Sequence, residues 1–160
     1  MPQKYVKKIL DARIYDLAIE TPVDAAPLLS KRLNNTVLLK REDLQPVFSF
    51  KLRGAYNKLR QLSKVERTGG VIAASAGNHA QGLALAAQKM GVDATIVMPK
   101  TTPRIKVDAV RGWGAKVILF GDNYNAAAEH ANQLVAEEGL TYIHPFDDPD
   151  IIAGQGTVGM

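Results

Sequence analysis

The 160-residue sequence predicts an α/β fold: a parallel sheet with helices on both faces, in three αβα layers. Three observations carry this. Short apolar runs recur at 71–74, 94–98, 116–120 and 141–143, each the length of a strand in a covered parallel sheet. A helical pattern fills every interval between them. Glycines and capping residues punctuate the joins. Strands that alternate with helices imply βαβ crossovers rather than hairpins. The regular alternation begins at Gly70. Residues 51–144 are therefore read as a small doubly wound subdomain, and 1–50 as N-terminal helices and a first strand of a larger one. Residues 145–160 are read as the start of a helix of that larger subdomain, broken off at Met160.

Taken in order, Val6, Ile9, Leu10, Ile14 and Leu17 have the spacing of one buried helical face over 3–18, with Lys4, Lys7 and Lys8 on its solvated side. Thr21-Pro22 interrupts it. A helix at 27–33 ends in the turn signal Asn34-Asn35. Residues 36–40 read as a strand burying Val37, Leu38 and Leu39. Arg41, Glu42 and Asp43 follow as a charged loop, taken as solvated because charge is rarely buried. Leu52, Ala55, Tyr56, Leu59 and Leu62 place an amphipathic helix over 50–62. After the 71–74 run, Asn78 is a helix N-cap with Gln81 three residues on, as in a capping box, and Gly91 is the C-terminal stop. Thr102 caps the next helix, with Pro103 at its first position and Gly112 at its end. A further helix spans 125–138 and stops at Gly139.

Two stretches carry chemistry. Lys51 lies beside an apolar stripe near a helix start, where partial desolvation and the positive helix end both disfavour the ammonium. A neutral amine there can condense with an aldehyde. The plainer reading is a surface lysine with its stem packed on the core. The second stretch, 75–79, leaves the carboxyl end of a strand and enters a helix, which is where open α/β sheets bind ligands and where free N–H groups suit an anion. The plainer reading is a capped turn with no ligand.

The order S-F-K-x-R-G-A at 49–55 followed by S-A-G-N-H-A-Q-G at 75–82 closely resembles the pyridoxal-phosphate-dependent fold type II family (tryptophan synthase β-like), and within it the biosynthetic threonine ammonia-lyase branch. Supporting phrases are Thr21-Pro22, Lys40-Arg41-Glu42-Asp43 with Gln45-Pro46, Ile96-Val97-Met98-Pro99, Lys106-Val107-Asp108-Ala109, and Pro145-Phe146-Asp147-Asp148-Pro149 leading to Gly154-Gln155-Gly156-Thr157. The resemblance covers nearly the whole chain. It implies a pyridoxal 5'-phosphate cofactor and Lys51 as both its Schiff-base lysine and the base that takes the substrate Cα proton. It further implies Phe50 beside the cofactor ring, Asn78 on the ring hydroxyl, and Ser75, Gly77, Asn78 and His79 around the substrate carboxylate. The implied reaction is deamination of L-threonine, or L-serine, to a 2-oxo acid and ammonia. For threonine the product is 2-oxobutanoate, the entry to isoleucine synthesis. Serine racemase and the catabolic serine/threonine dehydratases are the alternatives in this family, and a non-catalytic α/β ligand- or partner-binding module is the alternative outside it.

Family catalytic domains are about twice this length. Their glycine-rich phosphate cup and the hydroxyl residue facing the pyridine nitrogen fall beyond Met160. The chain is thus expected to be an N-terminal fragment with little or no activity alone, the full form being a homo-oligomer.

Composition excludes several classes. A net charge of +4 is spread along the chain rather than clustered for nucleic acid. Zero cysteines rule out disulfides and thiolate metal sites. No apolar run approaches a membrane span, and the N-terminus lacks a signal-peptide core, so a cytoplasmic location is expected. His79, His130 and His144 lack metal-ligand spacing, and no metal site is assigned. His130 reads as a solvated helix position, His144 as a hydrogen-bonded residue after a strand, and Trp113 as packing in a turn. Gly154 to Gly159 matches G-x-G-x-x-G, but a glycine-tolerant helix start packed closely on a neighbour explains it as well.

Overall fold

The computed structural model describes residues 2–160. The chain runs α1 (Pro2–Leu10), β1 (Val23–Ala25), α2 (Pro27–Leu33), β2 (Leu38–Lys40), a 3-10 turn (Glu42–Leu44), α3 (Lys51–Gln61) and α4 (Lys64–Gly69). It continues with β3 (Val71–Ala74), α5 (Asn78–Met90), β4 (Ala94–Met98), α6 (Arg104–Gly112), β5 (Lys116–Leu119), α7 (Tyr124–Glu138) and β6 (Thr141–Tyr142). It closes with α8 (Pro149–Gly156) and a second 3-10 turn (Thr157–Gly159). The four strands from β3 onward form one parallel sheet in the order β5-β4-β3-β6, while β1 and β2 pair antiparallel as a separate ribbon.

Alternation along the buried strands divides the core into two layers, because successive side chains point to opposite faces. Val71, Ala73, Ala94, Ile96 and Met98 pack on one face with residues of α3, α5, α6 and α8. Ile72, Ala74 and Val97 pack on the other with Ala127, Ala131 and Leu134 of α7. The three αβα layers are therefore present. Helix α3 is enclosed on nearly every side: Leu52, Arg53, Gly54, Ala55, Tyr56, Asn57 and Leu59 are all buried. Leu52 and Leu59 have no exposure, and each such side chain contributes about 1.5–3 kcal/mol by leaving water.

Two glycines allow helices to touch α3 backbone to backbone. A Cβ on Gly82 of α5 would lie 2.8 Å from Leu52 N and from Lys51 C. A Cβ on Gly154 of α8 would lie 2.6 Å from Arg53 O and 2.7 Å from Gly54 Cα. Gly154 shows the close packing expected for this segment, but at the C-terminal end of α8 rather than at a helix start, and Gly159 has open space around it.

Several local expectations fail for tertiary reasons. The helix predicted over 3–18 ends at Leu10, and Val6 and Leu10 are exposed. Ile14 and Ala18 are instead buried in a separate turn against Val47, Leu52 and Leu85, so two short pieces share what looked like one periodic stripe. Leu38 and Leu39 of β2 are exposed because the ribbon has no layer over it among the described residues. Thr102 does not cap α6; Pro103 stands at the N-cap without a side-chain bond.

The largest departure is Glu42, which is buried rather than solvated. Its carboxylate takes a bidentate pair from Arg53, Nε to Oε2 at 2.7 Å and Nη2 to Oε1 at 2.8 Å. Thr21 Oγ1 adds a bond at 2.6 Å, and Gln45 Nε2 donates as well. Arg53 also donates to Thr157 Oγ1. Burial pushes the Glu42 carboxyl up, but the Arg53 and Thr21 hydrogen bonds more than reverse this and leave it below the usual range. Bidentate geometry with further hydrogen bonds is what allows such a pair to survive desolvation.

Removing one partner leaves a buried charge alone. Glu42→Ala is expected to cost about 3–5 kcal/mol in urea denaturation, whereas Glu42→Leu with Arg53→Met together should cost far less. Equal losses in the single and double variants would contradict the pairing.

Candidate functional site

Strand order reverses at β3. It rises from β3 through β4 to β5 on one side and jumps to β6 on the other, and ligands bind at such switch points, outside the carboxyl ends of the strands. Two loops leave the sheet there, 75–77 after β3 and 143–148 after β6. Lys51 reaches the same place from the start of α3: its Nζ donates to Pro145 O at 2.8 Å. His79, in the first turn of α5, contacts Ile143 O through Nε2 at 3.0 Å. Residues from α3 and α5 thus grip the segment that leaves β6 at two positions.

Lys51 is half-buried, and desolvation lowers the proton affinity of its amine below the usual lysine value. It is the first residue of α3, where the helix dipole acts in the same direction. The Phe50 ring lies 5.6 Å from Nζ and is partly exposed.

The loop after β3 differs from the predicted cap. Gly77, not Asn78, is the N-cap of α5, and no side chain caps the helix. The backbone turns one residue early, with Gln81 N donating to Gly77 O and Ser75 Oγ accepting from Gly77 N. Asn78 becomes the first helical residue and is exposed. An uncapped helix start keeps its first N–H groups available to an anion. Ser75 and Gly77 are half-buried in the same loop.

His79 is buried, with 3% exposure. A carbonyl only accepts, so Nε2 carries the hydrogen and donates to Ile143 O. Nδ1 is then a bare lone pair, buried without a partner. Burial first, and the Lys51 charge to a lesser degree, hold the imidazole pKa down at about 4.

The donor set fits an aldehyde cofactor and a carboxylate substrate: an amine whose proton affinity is lowered by burial, an aromatic ring beside it, and an uncapped helix start at the same sheet edge. Among the described residues no group of acidic, histidine or cysteine side chains could hold a metal ion. Among the described residues no helix is long and apolar enough to cross a membrane. Three features were not legible in sequence: the Pro145 carbonyl as the partner of Lys51, the His79–Ile143 tie, and the Glu42–Arg53 pair. Only the last had a signal, since a helix apolar on Leu52, Ala55, Tyr56 and Leu59 has little solvated face left for residue 53.

A depressed histidine pKa has a signed consequence. The unfolded chain binds a proton near pH 6.5 and the folded chain only near 4, so the stability tied to neutral His79 is complete above the first value and is lost as pH falls through the second. The full effect is about 3 kcal/mol. Urea midpoints between pH 7 and pH 4 should fall less steeply in His79→Asn than in the unaltered chain; parallel slopes would show that His79 does not titrate this way.

Comparison with known proteins gives the family. Residues 14–160 match the family model described as "Pyridoxal-phosphate dependent enzyme". A biosynthetic chloroplastic threonine dehydratase of Arabidopsis thaliana is 60% identical over 157 residues, covering 98% of this chain and 26% of its own length. The processed form of threonine deaminase isoform 2 from Solanum lycopersicum superposes with a TM-score of 0.93 at 55% identity, over 98% of this chain and 43% of that one. A serine racemase from Dictyostelium discoideum superposes with a TM-score of 0.88 at 35% identity, over 96% and 50%. The chain thus spans about a quarter of the length of the plant dehydratase it matches. With the family model matched from Ile14 to Met160, this chain belongs to the pyridoxal-phosphate dependent enzyme family.

Proposed function

We propose that the whole protein deaminates L-threonine to 2-oxobutanoate and ammonia with pyridoxal 5'-phosphate, and that this chain supplies the reactive lysine and the substrate-carboxylate loop. The observation that carries the reading is the half-buried Lys51 amine held at the sheet's switch point, where the uncapped start of α5 also lies. Higher identity to threonine dehydratases than to serine racemase favours deamination over racemisation.

In this reading Lys51 would hold the cofactor, with Phe50 packed beside its ring and Asn78 bonded to its ring hydroxyl. When bound, the cofactor supplies an aldehyde to the amine and an electron sink for the substrate. Ser75, Gly77, Asn78 and His79 form the loop that takes the substrate carboxylate. The free N–H groups there orient the amino acid with its Cα toward Lys51. Nζ then takes the Cα proton, and the burial that lowers its proton affinity makes its uncharged form more accessible than that of an exposed lysine. His79 stays neutral and so adds no positive charge beside that amine. The reading extends to a cytoplasmic homo-oligomer that feeds isoleucine synthesis; the word "biosynthetic" in the plant relative's name supports the synthetic role alone.

An absorbance titration with pyridoxal phosphate and a 2-oxobutanoate assay test this. The 160-residue chain should bind cofactor weakly and turn over little threonine, because the phosphate contributes several charge-assisted bonds that the Lys51 half-site does not make. Lys51→Ala should abolish the residual absorbance change. Cofactor binding that survives this substitution would instead support a non-catalytic module, and full turnover by the chain alone would refute the division of labour.

A further inference from the structure

The segment after β6 is organised by side chains that are not adjacent in function. Ile143 O takes His79 Nε2, and Pro145 O takes Lys51 Nζ. Between them, His144 Nδ1 lies 3.2 Å from Phe146 N and 2.7 Å from Asp147 N. Both partners are backbone N–H donors, so Nδ1 must be the acceptor and the ring hydrogen must sit on Nε2. Pro145 has no N–H, so the turn's first two backbone donors are those of Phe146 and Asp147, and His144 takes both. The ring is further fixed edge-on to Phe146, with centroids 4.6 Å apart, and tilted against Tyr142.

We propose that His144 is a positioning residue: its unprotonated Nδ1 closes the 144–147 turn and thereby aims the Pro145 carbonyl at the Lys51 amine. The inference rests on the reading of Lys51 as the reactive amine and adds a residue to it. A lysine side chain has four rotatable bonds and gains entropy by swinging into water. One acceptor at a buried proline holds it back. Pro145 is itself buried, while Phe146 and Asp147 are exposed, so the carbonyl is the inward face of a turn whose outer half faces solvent. Without the lone pair of His144, the two N–H groups turn to water and the carbonyl loses its fixed direction. Lys51 then leaves the half-buried place in which its proton affinity is lowered.

The test compares the unaltered chain with His144→Leu, which removes the acceptor, and His144→Asn, whose side-chain oxygen can accept from N–H groups two and three residues on. Nitrogen-15 NMR of the unaltered chain should show His144 with its hydrogen on Nε2; a hydrogen on Nδ1 overturns the proposal without any variant. In His144→Leu, amide exchange at Phe146 and Asp147 should quicken by roughly tenfold or more, the worth of one to two hydrogen bonds. The Lys51 pKa should then rise toward the ordinary lysine value, while His144→Asn keeps both close to the original. A general loss of packing would not move the Lys51 titration selectively. Unchanged exchange and an unchanged Lys51 titration in His144→Leu overturn the proposal. A Lys51 that titrates as an ordinary lysine in the unaltered chain refutes the reading of the amine itself, which is a separate result from the state of the turn.

Discussion

Backbone contact between helices at α3 is the constraint on which the rest depends. Gly82 and Gly154 bring α5 and α8 against α3 with no side chain between, at the residues that begin the helix. Interiors packed at this density transmit small displacements rather than absorb them. The start of α3 therefore has little freedom relative to the start of α5, and Lys51 and the 75–79 loop keep a fixed relation. A reactive amine needs that more than it needs any single hydrogen bond, since misplacement by about 1 Å can cost a hundredfold in rate.

The buried Glu42–Arg53 pair secures the same helix from its other side. Through Thr21, Gln45 and Thr157 it ties three distant parts of the chain to a residue two positions from Lys51. Hydrophobic residues would fill the space at less electrostatic risk. A bidentate pair specifies one orientation of α3, because a rotated or shifted helix would leave both charges buried and unpaired. The helix is thus fixed in position by glycines and in orientation by a charge pair.

At the working end, the same economy recurs with neutral groups. Three consecutive residues after β6 engage His79, two backbone amides through His144, and Lys51. His79 reaches the Ile143 carbonyl through Nε2 and His144 the backbone amides of Phe146 and Asp147 through Nδ1, so two imidazoles organise one segment. The Phe146 ring and Asn78 are exposed in the loops that follow β6 and β3.

Residue order alone determined the strands from β3 to β6, the helices between them and the position of Lys51 at a helix start. Periodicity and glycine stops are local properties, and in a sheet covered on both faces nothing overrides them. The motifs at 49–55 and 75–82 likewise determined the family, because they are contiguous. Tertiary structure alone decided the burial of Glu42, the separate turn at Ile14, the exposure of Leu38 and Leu39, and Gly77 rather than Asn78 as the cap. It alone decided that Lys51 rests on Pro145. The burial of Glu42, the exposure of β2 and the seat of Lys51 depend on what a distant segment presents or withholds: a guanidinium for Glu42, no covering layer for β2, a carbonyl from beyond residue 140 for Lys51. Pairing across such distances leaves no trace in spacing along the chain, since the cost and reward of burying a polar group are set by its partner and not by its neighbours in sequence.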